Sequence, residues 1–372
     1  MTTALPARSL AWRELLLSWY AGARRDLPWR RTRDPYAIWI SETMLQQTRV
    51  DTVIPYYERF LRALPTVASL AEAPEEQVLA LWSGLGYYRR ARMLHAAARR
   101  VAKSHGGSIP SDLEGLRGLE GVGAYTAGAV ASIAFGKRAA VVDGNVARVL
   151  ARLFAIEDDV KSARGNARVW RLAEGLVPDR ESDSGDWNQA LMELGATVCV
   201  PGTPKCGGCP LRDHCVAREA GTARELPRVP VRKVAREMKR VAIVLSSSKA
   251  VLLARRRPNV LFGGLWEPPS APSGESADGA SRETDLRGLA LALGIEVERL
   301  EAVGAVTHLL SHRRLQVEVL RGALGRSRRF PLPGPEYDAI EPVSLGRLAA
   351  IPHARLARRI LEVANVAARG LL

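Results

Sequence analysis

Leu119-Glu120-Gly121-Val122-Gly123-Ala124-Tyr125-Thr126-Ala127 is the stretch whose reading decides the fold. Just upstream, Ser111-x-x-Glu114 has the form of a capping box for a short helix, and the small residues from Ala124 to Phe135 suit a second helix downstream. Gly121-Val122-Gly123 makes the tight turn between them. A turn of this kind aims unfilled backbone N–H groups of a helix N-terminus outward, and without a Cβ at Gly121 or Gly123 another backbone can come close. A phosphate fits such a place, although Gly-x-Gly also occurs at ordinary corners between helices.

Working outward, the first 220 residues read as helices without β alternation. Ser9 followed by Trp12, Leu15, Leu16 and Trp19 gives a cap and an apolar stripe at helical spacing. Asp34-Pro35 opens a helix running through Ile38, Ile40 and Leu45, and further helices are expected at about 74–82 and 87–104, the latter ending at Gly106-Gly107. From Arg224 to Arg240 the chain becomes rich in Pro and charge, which reads as a connector. Beyond it the period changes: 241–245 and 251–253 form a hairpin about a turn at 246–248, and Leu315, Val317 and Val319 alternate in a later strand. Residues 270–281 read as a surface loop and 286–293 as a helix.

Length and charge agree with several domains and an anionic partner. At 372 residues the chain exceeds one ordinary core, and 54 Lys/Arg against 39 Asp/Glu leave a net of +15. Residues 223–372 hold 25 basic and 15 acidic side chains, a net of +10, so both halves can face a polyanion. No run of 18 apolar residues occurs and Met1 to Leu10 lacks a secretion signal, so neither a membrane span nor export is expected. The default compartment is the cytosol, or the nucleoid if the source is prokaryotic.

Three groups of residues carry chemistry. Val141-Val142-Asp143-Gly144-Asn145 places a carboxylate at the start of a helix, where the dipole and free N–H groups favour its ionised form. Ile40-Ser41-Glu42 sets another carboxyl in an apolar helix face, where desolvation raises its pKa and suits it to donate a proton. Cys199-x6-Cys206-x2-Cys209-x5-Cys215 gathers every cysteine of the chain into seventeen residues. Four thiolates at this spacing accept zinc or an iron–sulfur cluster equally well, whereas a disulfide framework does not fit.

Taken together with Leu27-Pro-Trp-Arg30, Glu42-x3-Gln46-Gln47-Thr48-Arg49 and Leu85-Gly-Tyr87-Tyr88, these elements resemble the MutY-type adenine DNA glycosylases of the helix-hairpin-helix, endonuclease III superfamily. The resemblance implies a multidomain chain. Its all-α helix-hairpin-helix glycosylase core carries an iron–sulfur cluster subdomain and precedes an α+β Nudix-like domain. The helical catalytic region is expected over 1–222, with a six-helix hairpin domain at about 27–136 and a cluster domain built from about 8–26 plus 137–222. A connector over 223–239 leads to a recognition domain over 240–372. In that family the Glu of this motif protonates adenine and the Asp after the hairpin faces the sugar cation, roles that fall on Glu42 and Asp143. The resemblance also implies that Asn145 orients the site and that Tyr125 lies beside Asp143. Gln47 and Tyr87 would wedge into the duplex. Leu85, Arg30, Gly121, Gly123 and Thr126 join them as DNA-binding positions. It further assigns the four cysteines to a [4Fe–4S] cluster, with Lys205 and Arg212 suited to phosphate contact.

The C-terminal part resembles a Nudix domain through Phe262-Gly-Gly-Leu-Trp-Glu-Pro268 and a helix ending at Gly294. The expected Mg²⁺-binding acidic positions hold Gly288, Leu291 and Ala292, so recognition is expected there rather than phosphohydrolysis. Where the family reads 8-oxoguanine with a Phe-Ser-His loop, this chain has Leu310-Ser311-His312. Ser311 and His312 keep their hydrogen-bonding groups, and Leu310 replaces the aromatic. The implied activity is monofunctional removal of adenine from 8-oxoguanine:adenine or guanine:adenine mispairs in double-stranded DNA, by a monomer and with no membrane partner. An endonuclease III-like glycosylase/lyase is the alternative enzyme, but it places a Lys where Tyr125 stands, and a phenol cannot form a Schiff base. A catalytically silent lesion-binding protein is the alternative from another class, disfavoured by the presence of both carboxylates.

Overall fold

The computed structural model describes residues 9–228, 236–273, 282–310, 313–325 and 330–366. They divide into two compact units that do not follow chain order, one drawn from Met1–Glu72 and Met93–Val231, the other from Ala73–Arg92 and Arg232–Leu372. No helix among the described residues is long and apolar enough to cross a membrane.

Among the described residues twelve α-helices come first: α1 (Ser9–Ala23), α2 (Pro35–Leu45), α3 (Val50–Ala63), α4 (Val67–Glu72), α5 (Glu75–Leu81), α6 (Arg89–Ser104), α7 (Leu113–Arg117), α8 (Ala124–Ile133), α9 (Gly144–Leu153), α10 (Ala163–Leu176), α11 (Glu181–Thr197) and α12 (Val216–Glu219). Local chemistry accounts for their starts. Asp34 accepts the N–H groups of Tyr36 and Ala37 at 3.1 and 3.2 Å, and Pro35 supplies a preset φ in the first turn of α2. The cap of α7 is Asp112, which accepts from Gly115 N at 2.8 Å, and not the Ser111 of the expected capping box. The two candidates are adjacent, and the carboxylate has the third residue's N–H within reach.

The first unit's core joins α1, α9, α10 and α11. Trp12, Leu16 and Tyr20, spaced i, i+4, i+8, form the buried stripe of α1, so Leu15, expected to share it, turns outward at 42% exposure. They meet Val149, Leu150 and Leu153 of α9 and Trp187, Leu191 and Leu194 of α11. Each large side chain buried in this way contributes about 1.5–3 kcal/mol. α8 is buried from Thr126 to Ile133, which explains its small residues: neighbours crowd it on every side. α11 is held to it by Asn188, whose amide donates to Ser132 Oγ at 2.9 Å and to the Ala139 carbonyl at 2.7 Å.

In the second unit a mixed sheet runs in the order β3-β2-β1-β6-β5, formed by β1 (Arg236–Ser246), β2 (Ala250–Arg256), β3 (Trp266–Glu267), β4 (Ser270–Pro272), β5 (Glu301–Leu309), β6 (Arg313–Ala323) and β7 (Tyr337–Ser344). β4 pairs with β1, and β7 with β2. Two expectations are corrected. Residues 236–240 belong to β1, because its backbone ladder with β6 begins at Arg236 opposite Arg313 whatever the polarity of the side chains. Ser270 to Pro272 are strand and not loop, pairing with Ala242, Val241 and Arg240, while Ser270 Oγ is buried against Glu267 and Tyr337. The rest of the expected loop, 274–281, lies outside the described residues. Helices α13 (Arg282–Ala292) and α14 (Arg355–Val363) complete the unit, with Leu289, Ala290 and Leu293 packed on Val241, Ile243, Leu245 and Leu320. Residues 73–92 belong here by direct contact: the Tyr88 hydroxyl donates to the His353 carbonyl at 2.9 Å, and Ser83 Oγ accepts from His353 N at 3.1 Å.

Candidate active site

The hairpin is present, and its two glycines do different work. Gly121 has φ +77°, and a Cβ there would lie 2.8 Å from Met93 Cβ, so turn and packing both require glycine. Gly123 is the extended N-cap of α8 with open space before it, and α8 has no side-chain cap, which leaves its first N–H groups unfilled.

Behind this turn opens a cavity of about 910 Å³, walled also by the end of α2 and the start of α9. Glu42 enters it from α2, whose residues Tyr36 to Met44 are all buried, and is 4% exposed. The Tyr125 hydroxyl, from the first turn of α8, donates to Glu42 Oε2. Burial pushes Glu42 up to about 7; Tyr125 pulls against this, Asp143 adds to it, and Arg30 opposes it weakly.

Asp143 lines the same cavity as the N-cap of α9. Its Oδ1 accepts from Val146 N at 2.7 Å and its Oδ2 from Asn145 Nδ2 at 2.9 Å. These donors and Arg148 favour the carboxylate, as the helix start suggested, but burial outweighs them and the pKa is raised above the ordinary aspartate value. Sequence reasoning had weighed the N–H groups without the desolvation. The two carboxyls therefore share a cavity with different company: Glu42 receives one hydroxyl, Asp143 an amide, a backbone N–H and a nearby guanidinium.

Three supporting residues had no assigned role in the sequence reading. Arg148 NH2 donates to Asn145 Oδ1 and to the Gly195 carbonyl, both at 2.8 Å, and its Nε to the Cys199 carbonyl at 2.7 Å. It thus ties the amide that holds Asp143 to the first residue of the cysteine segment. Gly195 permits this: a Cβ there would stand 2.6 Å from Asn145 Cβ and 2.9 Å from its carbonyl oxygen. Glu193, fully buried in the cavity wall, accepts from Arg25 through Nε and NH2 at 2.8 Å and from Arg30 NH2 at 2.7 Å. Burial disfavours its charge, yet the two arginines hold its pKa down to about 2. A lone acid between Met192 and Leu194 was the available signal.

Other expected positions are distributed unevenly. Arg30 lines the cavity, but its guanidinium is engaged by Glu193 and only 10% of its side chain is exposed, so it is placed as part of the wall and not as a free phosphate contact. Thr126 is 1% exposed and accepts from Gln46 Nε2 at 3.1 Å, joining hairpin to α2. Leu85, in the second unit, is 6% exposed. Gln47 and Tyr87, by contrast, are exposed and both have positive φ, 59° and 49°. Non-glycine residues seldom adopt that region, and held strain of this kind concentrates at functional loops. Gln47 lines the cavity; Tyr87 belongs to the second unit.

The four cysteines, all half-buried, follow α11 on short turns. Burial pushes the Cys209 thiol up to about 11, with the neighbouring sulfurs of Cys199, Cys215 and Cys206 adding to the rise. Among the described residues no group of three or more His, Cys, Asp or Glu side chains stands arranged to hold a metal ion. The donor set nevertheless fits one: burial and neighbouring sulfurs disfavour the charged form of Cys209, a bound cation would offset that, and Arg152, 2% exposed, donates to Cys199 Sγ at 3.4 Å. In the second unit Phe262, at φ +60°, meets His308 edge-on at 6.2 Å, while Ser311 and His312 lie outside the described residues.

A buried carboxyl with a raised pKa, a capped carboxyl and a helix end without a side-chain cap stand around one cavity, in a chain of the DNA base-excision enzymes of the helix-hairpin-helix class. The sequence profile described as "HhH-GPD superfamily base excision DNA repair protein" matches residues 40–173, which include both carboxyls, and that of the NUDIX domain matches residues 240–363. The chain belongs to the adenine DNA glycosylase family: it is 40% identical over 373 residues to the Homo sapiens adenine DNA glycosylase, covering 86% of this chain and 68% of that protein. The Mus musculus protein is 38% identical, over 85% of this chain and 71% of its own length. Among solved structures, a thermostable thymine-DNA glycosylase matches at 34% identity with a TM-score of 0.53, over 57% of this chain and 97% of that one. A trapped endonuclease III–DNA covalent intermediate shares the fold at 23% identity and a TM-score of 0.50, over 59% of this chain and 99% of that one.

Proposed function

We propose that this enzyme hydrolyses the N-glycosidic bond of adenine flipped out of double-stranded DNA, opposite 8-oxoguanine or guanine, and leaves an abasic site. The observation that carries the reading is the pair of carboxyls in one cavity, Glu42 poised near neutrality and Asp143 held by donors that favour its charge. Cleavage creates a sugar cation and a poor anionic leaving group. Protonated Glu42 neutralises the departing base, and ionised Asp143 faces the cation. Tyr125 orients Glu42; Asn145, held by Arg148, orients Asp143. The Glu193–Arg30 wall offers an acceptor and donors suited to adenine's amino group and ring nitrogens.

The described residues lining the cavity include no lysine, so water and not a protein amine takes the sugar carbon. The unfilled N–H groups of α8 would grip a backbone phosphate, with Gln47 and Tyr87 entering the duplex as the base leaves it. Cys199, Cys206, Cys209 and Cys215 would hold a [4Fe–4S] cluster, which supplies local folding of a basic loop when bound. The Nudix-like domain, through Ser311 and His312, would read the lesion.

Incubation with an 8-oxoguanine:adenine duplex, with and without alkali, tests the reaction. Strand breaks that need alkali are expected; direct breaks would indicate a lyase, and binding without breaks a silent protein. For lesion reading, the combined Ser311→Ala, His312→Ala variant should lower the affinity ratio of 8-oxoguanine:adenine over guanine:adenine at one fixed salt concentration by about 1–3 kcal/mol. An unchanged ratio would move discrimination elsewhere.

A further inference from the structure

Beside the base cavity, and sharing Arg30 and Gln189 with it, the first unit contains a second pocket of about 80 Å³. That is about half the size of a cavity of about 150 Å³ that holds a benzene ring, so it suits a few waters or one tetrahedral oxyanion better than a base. Its wall is polar. Tyr20 is 3% exposed, with its ring buried beneath the Arg30 guanidinium at 5.5 Å. Its hydroxyl lines the pocket without a hydrogen-bond partner among the described residues. Arg24, at the end of α1, forms no ion pair among the described residues. Arg33 uses one nitrogen on the Ile133 carbonyl at 3.3 Å, and Thr32 Oγ1 accepts from Asp34 N at 3.0 Å, which leaves its own proton to donate. Opposite these donors stands one carboxylate, Asp186, without an ion pair among the described residues.

We propose that this pocket is a second anion site, distinct from the base cavity and the hairpin, that binds a phosphate bearing a proton: inorganic phosphate or a terminal phosphomonoester. Three oxygens accept from Arg24, Arg33 and the Tyr20 hydroxyl, and the P–OH donates to Asp186. That last contact sets the specificity. Sulfate and internal phosphodiesters are fully deprotonated at neutral pH and would face Asp186 with lone pairs only, a like-charge contact with no hydrogen bond. Tyr20 is pre-set by core packing, so its donor is oriented without loss of rotamer freedom.

The test is calorimetric titration of the full chain with sodium phosphate, sodium sulfate and a nucleoside monophosphate, at constant ionic strength and at about pH 6, where about half of the monoester still bears its proton. Phosphate should bind and sulfate should not. Binding by the monophosphate as well identifies a terminal phosphomonoester as the natural ligand, and binding by phosphate alone identifies the free ion. Tyr20→Phe, which keeps the packing ring, should weaken phosphate about tenfold. Arg24→Gln with Arg33→Gln should abolish binding, whereas Arg168→Gln, an exposed arginine paired with Asp158, should leave it intact. Asp186→Asn should admit sulfate. Equal binding of sulfate and phosphate by the parent, equal loss in Arg168→Gln, or no phosphate binding would overturn the proposal. None of these readouts depends on base excision, so failure here is separable from failure of the proposed reaction.

Discussion

Replacing Glu42 by Gln should make the protein more stable while disabling it, by an amount that depends on pH. The carboxyl's pKa is 4.5 when unperturbed and about 7 in the fold, with burial the main cause. Between those values the folded state binds more protons than the unfolded one, so the parent's stability falls as pH rises through this window and is level above it. At about 1.4 kcal/mol per pH unit the loss is about 3 kcal/mol by pH 8. A glutamine has no such loss, and its amide oxygen still accepts from the Tyr125 hydroxyl. Urea midpoints of parent and variant, compared at pH 4.5 and pH 8, measure the difference directly. The variant's advantage should grow by about 3 kcal/mol over that interval, with excision lowered by several orders of magnitude at both ends. An advantage of equal size at both pH values would show that Glu42 does not carry the raised pKa, and the assignment of proton donor would go with it.

For the parent, single-turnover adenine release should decline about tenfold per pH unit above 7 as Glu42 loses its proton, and fall at low pH as Asp143 gains one. Asp143→Asn should keep duplex affinity within a few-fold and lower the excision rate by about 2.7–4 kcal/mol or more, measured under single-turnover conditions. Gly195→Ala drives a methyl into Asn145, and should depress excision more than duplex binding by displacing the amide that holds Asp143. Cys206→Ser should reduce iron content and visible absorbance in anaerobically purified protein; stoichiometric zinc without iron in the parent would reverse the cluster assignment.

Much of this was legible in the chain because the deciding residues act over short range. The turn at the hairpin glycines, the Asp34 cap and the Asp143 cap each depend on neighbours two or three residues away, and sequence displays such neighbours directly, although the packing of Gly121 on Met93 lies beyond that reach. Glu42 was legible as an acid in an apolar helix face, but its partner Tyr125 is 83 residues distant, and only the fold brings the hydroxyl to it. Arg148, Glu193 and Gly195 were missed for the same reason: their meaning lies in contacts between α9, α11 and the segment before α2. Arg30 and Thr126 show the converse: the motif marks them as DNA contacts, and the fold engages them with Glu193 and Gln46. Polar residues beside a binding motif invite assignment to the ligand, yet burial gives each a partner within the protein.

The composition of the second unit bears on how the chain can be made. Residues 73–92 pack with a body whose remaining members begin at Arg232, so about 140 residues separate the early segment from its partners. At about 5–20 residues per second, ribosomal synthesis leaves Tyr88 and Ser83 without His353 for roughly ten seconds or longer. The segment carrying Leu79, Trp82 and Leu85, all buried in the finished chain, is therefore made long before the rest of its unit. A nascent chain stalled just past α12 would carry both carboxyls and all four cysteines, yet would still lack His353, the partner of Tyr88 and Ser83 on either side of Tyr87.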